Sequence, residues 1–257
     1  MDNCRSRFWR FLSMDARRHL RRLSCLAAEL PICSSGAATA GQSKIRTIFP
    51  SLESLDVFDS YASFVSRLRL PSVADWNNVS RFLCLNCNNL RHLNVYLVDS
   101  MHPLQLTRKL ASLTTLRLSA EYDFPQVDLS FLTQMPALES VDVRLSVKAT
   151  VFFGLLIRLS HLKHMRLEPL SDFRYEKKEE VEESILSFLS EAKSLTHFAL
   201  FAHTCRSGMN VRQLPADECR ACGPRVWEAL TSLAKSEEGR RLTTAVICTR
   251  SAVRQRK

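Results

Sequence analysis

The sequence predicts an α/β fold made by stacking one short strand-plus-helix unit along an axis, and three observations predict it. A three-then-two spacing of apolar residues recurs along the chain. Segments with apolar residues three or four apart separate the copies. The six glycines are scattered, which argues against the clustered-glycine loops of nucleotide-dependent enzymes.

The spacing is clearest in ASLTTLRLSAEY, where Leu113, Leu116 and Leu118 are the apolar positions. It occurs earlier at Leu52, Leu55, Val57 and at Leu90, Leu93, Val95. It occurs later at Leu138, Val141, Val143, at Leu162, Met165, Leu167 and at Leu195, Phe198, Leu200. A weak seventh copy is Leu242, Ala245, Ile247. The leading positions are 38, 23, 25, 24, 33 and 47 residues apart. Within each copy the second and third apolar residues alternate with polar ones, as a strand with one buried face requires. The first apolar residue enters the core from a bend. No single unit can bury such a face alone, so the copies make sense only when stacked.

The intervening segments TRKLASL, FLTQMPAL, FFGLLIRLSHL and VEESILSFLSEAKSL are predicted to return the chain along the other side. The strongest helix signal lies in 175–194, where Val181, Ile185, Phe188 and Leu189 form a stripe. Ahead of it Glu179, Glu180, Glu182 and Glu183 make an acidic first turn, which suits the positive end of a helix dipole. The run EKKEEVEE therefore reads as the solvated start of that helix.

With these residues in place the chain resembles the leucine-rich repeat superfamily, well over residues 49–204 and poorly over 240–248. The resemblance implies a curved solenoid with short parallel strands on the concave face and helices or turns on the convex face. Ordinary members carry Asn or Cys three residues after the third apolar position. Here Ser60, Val98, Glu121, Ser146, Leu170 and His203 stand there. Uneven lengths and the missing Asn ladder make the repeats similar to the irregular ones of F-box proteins, although no F-box is visible around Leu30-Pro31. The expected organisation is a basic N-terminal arm or helical cap over 1–48 and the solenoid over 49–204. An insertion and helix over 205–239, then a weak last repeat and basic tail over 240–257, complete the chain.

The resemblance directs attention to the strand face. Its outward positions include Asp56, His92, Asn94, Tyr96, Thr115, Arg117, Ser119, Asp142, Arg144, His164, Arg166, Glu168 and Phe201. Of these, all but Ser119 and Glu168 are candidate partner-binding residues. A surface of mixed sign with aromatics suits protein recognition, in which Arg and Tyr serve as anchors. It is not the one-signed basic stripe of a nucleic-acid groove. The expected function is a non-enzymatic protein-protein interaction module. One alternative is a substrate receptor of an F-box-type ubiquitin ligase, which would bind the ligase adaptor. A second is an RNA- or membrane-associated protein working through its ends.

Charge placement motivates that second alternative. Residues 1–48 hold nine Lys/Arg and three Asp/Glu, and residues 240–257 hold six Lys/Arg and no acids. The remaining 49–239 carries 21 basic and 23 acidic residues, so the body is nearly neutral and the formal charge of +10 sits at the ends. Solvated tails are the plainer reading of such ends. The Arg-rich start also has features of a mitochondrial presequence, a minor expectation beside a cytoplasmic or nuclear location. No run reaches the ~18 apolar residues needed to span a bilayer.

Nine cysteines, an odd number, fit a reducing compartment better than a disulfide framework. His203, Cys205, Cys219 and Cys222 match a tetrahedral zinc site in kind and number, but ordinary loop thiols are the expected reading because a lone CxxC is weak. No cofactor is expected. There is no G-x-S-x-G elbow, H-E-x-x-H or P-loop, so no catalytic residue is assigned.

Overall fold

The computed structural model describes residues 14–26, 49–58, 82–83, 89–97, 110–120, 129–169, 176–202, 224–235, 242 and 244–249. Among these residues the chain is α/β, with a single sheet of eight parallel strands in the order β1 to β8. The strands are β1 Arg22–Leu26, β2 Ser54–Phe58, β3 His92–Leu97, β4 Thr115–Ala120, β5 Ser140–Arg144, β6 His164–Leu167, β7 His197–Ala202 and β8 Thr244–Thr249. The helices are α1 Met14–His19, α2 Ala149–Leu156, α3 Lys178–Glu191 and α4 Pro224–Lys235, with a 3-10 turn at Ser130–Gln134. No helix of the described residues is long and apolar enough to cross a membrane.

Every copy of the spacing found in the sequence forms a strand, and the register aligns the copies position by position. Leu55, Leu93, Leu116, Val141, Met165 and Phe198 are lateral neighbours, as are Val57, Val95, Leu118, Val143, Leu167 and Leu200. Both columns are buried, together with the leading leucines Leu52, Leu90, Leu113, Leu138, Leu162 and Leu195. Burial of each such side chain contributes about 1.5–3 kcal/mol relative to exposure. The stripe of α3 lies in the same core, with the Phe188 ring 5.5 Å from Phe153 of α2 and 6.5 Å from Phe198 of β7. Val226 and Leu230 bring α4 into that core.

The sheet starts earlier than the repeat spacing quoted above predicts. Within the stretch assigned to an arm or cap, Arg22–Leu26 pairs with Ser54–Phe58 as the first strand. Leu20, Leu23 and Cys25 have the same three-then-two spacing, with a cysteine in the third place. Cys25 aligns with Val57 and acts there as a small hydrophobe.

Backbone hydrogen bonds explain why the spacing recurs. Each leading leucine from Leu20, Leu52, Leu113, Leu138, Leu162 and Leu195 donates its N–H to the carbonyl three residues earlier, closing a turn. The next residue's carbonyl then accepts two successive N–H groups of the following unit. The acceptors are Arg21, Glu53, Arg91, Thr114, Glu139 and Lys163, at 2.8–3.0 Å. This shared acceptor satisfies the N–H groups that the bend would otherwise leave unpaired, and it sets the strand register.

Candidate functional site

On the sheet face opposite the apolar columns, the alternation of β-strands places the polar residues between them. The central row runs Ser24, Asp56, Asn94, Arg117, Asp142, Arg166, Ala199 in register. Lateral neighbours in such a row stand one strand spacing apart, about 4.8 Å. Oppositely charged residues there meet directly.

Asp142 lies between two guanidinium groups. Arg117 Nε is 3.3 Å from its Oδ2, and Arg166 Nε is 3.7 Å from its Oδ1. Arg166 also reaches Glu168 through Nη2 at 3.4 Å, and its guanidinium carbon sits 4.7 Å from the centroid of the Phe201 ring. Arg144 Nε is 3.5 Å from the other Glu168 oxygen, an ion pair without hydrogen-bond geometry. Arg117, Asp142, Arg144, Arg166 and Phe201, all candidates from sequence, thus form one cluster across β4 to β7. Burial pushes the Asp142 carboxyl above its ordinary range, against the opposing pull of Arg166 and then Arg117.

Two of the outward positions are closed to solvent. Ser119 is buried, because Tyr96 and Arg144, both far larger, flank it in register. Glu168 is also buried and serves as an internal counter-ion beneath Arg144 and Arg166.

His164 and His197 are lateral neighbours with rings stacked at 4.3 Å and 20°. The Thr196 hydroxyl lies 2.8 Å from His197 Nδ1. Partial burial, then His197 and Lys163, lowers the His164 pKa below its ordinary value, with Glu139 acting in the opposite direction. Asp56, His92, Asn94, Tyr96 and Thr115 share the same face on β2 to β4, outside the ion-pair cluster. His92 is exposed and the other four are half-buried.

A second charged column escaped the sequence reading. The residue after each leading leucine is Arg21, Glu53, Arg91, Thr114, Glu139, Lys163 and Thr196. Glu139 and Lys163 pair at 3.0 Å, and Arg21 and Glu53 at 3.9 Å. The alternating sign at one repeat position was the available signal. Arg21, Glu53 and Arg91 line a polar recess with Ser51, Asn89 and Ser112.

Among the described residues no three His, Cys, Asp or Glu side chains group so as to hold a metal ion. His203, Cys205, Cys219 and Cys222 lie outside the described residues, as do most of the two basic ends. No family model and no curated protein matches the chain.

Proposed function

We propose that this chain is an irregular leucine-rich repeat solenoid that binds another protein on its concave strand face and catalyses no reaction. The observation that carries the reading is the state of Arg166, held at once by Asp142, Glu168 and the Phe201 ring. An arginine fixed in this way loses little side-chain freedom when a partner docks, and arginines and aromatics supply most interface hot spots. The rest of the face fits the same role: Asp56, His92, Asn94, Tyr96, Thr115 and His164 give it mixed polarity with an aromatic, and its central row has no single sign.

The test is affinity purification with the parent chain and with the triple variant Arg117→Glu, Asp142→Arg, Arg166→Glu. Circular dichroism verifies that the variant is folded. Loss of specific partners from the folded variant is the expected result. An unchanged partner set defeats the reading.

A further inference from the structure

The ion-pair cluster is layered by depth. The side chains of Arg117, Arg166 and Arg144 are 56%, 45% and 31% exposed, whereas those of Asp142 and Glu168 are 26% and 11% exposed. The carboxylates lie beneath and the guanidinium groups stand outside them. Three cations over two anions leave one positive charge in excess. A row that looks balanced in the sequence therefore presents cationic groups to an approaching molecule.

The mode of pairing reinforces this. Arg117 and Arg166 both approach Asp142 through Nε, the inner nitrogen of the guanidinium fork. Each guanidinium offers five N–H groups. Among the described residues, the ion-pair contact of Arg117 with Asp142 is through Nε, and Arg166 directs Nη2 toward Glu168. Donors remain at the outer edge of both side chains, with their positions set by the carboxylates below.

We propose that the occupant of this face is a protein segment carrying carboxylate side chains, which docks on the outer edges of Arg117 and Arg166 above Asp142. The inference rests on the protein-binding reading and names the chemistry of the partner. Planar guanidinium groups match carboxylates in a paired-donor geometry, and their pre-set orientation reduces the ordering needed on binding. The same layer repels a basic segment, which gives selectivity as well as attraction.

The test uses fluorescein-labelled peptides alternating Glu with Ser, their Gln and Lys counterparts, and a phosphoserine version, measured by fluorescence anisotropy with the full chain. The Glu peptide is expected to bind, to weaken as salt rises, and to bind about tenfold more weakly to each of Arg117→Gln and Arg166→Gln. Arg158→Gln, an exposed arginine just after α2, is expected to bind like the parent. Binding of only the Lys or only the phosphoserine peptide overturns the inference. So does failure of the Glu peptide to bind while the charge-reversed triple variant loses cellular partners, and in that case the protein-binding reading stands. If no peptide binds and the partner set is unchanged, both fall.

Discussion

The carboxylate of Glu176 caps a helix that begins 27 residues earlier, accepting the backbone N–H of Ala149 at 2.6 Å. Its second oxygen accepts the Thr150 N–H at 3.0 Å and the Thr150 hydroxyl at 2.7 Å. The residue before helix α2 is Lys148, whose side chain makes no capping bond, so the first N–H groups of the helix depend on this distant acid. Glu176→Ala is expected to lower stability by about 1–2 kcal/mol, the usual cost of losing a cap, with Glu176→Gln losing less. Urea unfolding checks it, and equal midpoints for the parent and the Ala variant would refute the capping role.

The sheet grows by neighbours, so the cost of a cavity depends on position. Leu116 is fully buried and has Leu93 on one side and Val141 on the other. Leu23 holds the same place in β1, which among the described residues has only β2 beside it in the sheet. Leu116→Ala is expected to cost about 2–5 kcal/mol in global stability. Leu23→Ala is expected to act locally, raising amide hydrogen exchange in Arg22–Leu26 while β4 to β7 stay protected. Equal global losses for the two variants would count against this stepwise stacking.

The strands were legible wherever leucine led and two aliphatic or aromatic residues followed, because that pattern reports one buried face directly. Strand β1 was harder to see because Cys25 stands where other copies have Val, Leu or Ile, and because arginines surround it. The lateral meeting of Arg117, Asp142 and Arg166 followed from their shared position in the repeat. Depth did not follow. Whether Glu168 or Arg144 lies outermost depends on side-chain length and on the row beside it, which spacing does not encode. The cap by Glu176 was hidden for a different reason: it joins the segment after β6 to a helix before β6, a tertiary choice within a charge run that reads as solvated.

Burial works against the charged form of Asp142. Burial raises its pKa above the ordinary 3.8 and outweighs Arg166 and Arg117. A carboxyl raised in this way binds its proton more tightly in the folded state. Its contribution to stability is full below 3.8 and is lost as pH rises through the folded value. Asp142→Asn keeps the shape and one acceptor oxygen while removing the buried charge. The variant is expected to show a urea midpoint at pH 7 equal to or above that of the parent, with the parent gaining on it toward pH 4. A lower midpoint for the variant at pH 7 would mean that attraction to the two arginines wins after all.

The stacked histidines act in the opposite sense. His164 has a folded-state pKa below 6.5, from partial burial first and then from His197 across the stack and Lys163 beside it, partly offset by Glu139. A depressed histidine contributes stability that is present above 6.5 and is lost as pH falls through the folded value. Because the His164 ring is largely exposed, solvent screens the effect and keeps it small. His164→Gln is expected to flatten the fall in stability between about pH 7.5 and pH 5 without moving the pH 8 value. In NMR titration of the parent, the His164 ring protons should turn over below the ordinary histidine value. A midpoint at or above 6.5, or an unchanged slope in the Gln variant, would show that partial burial, His197 and Lys163 do not together oppose charge on His164.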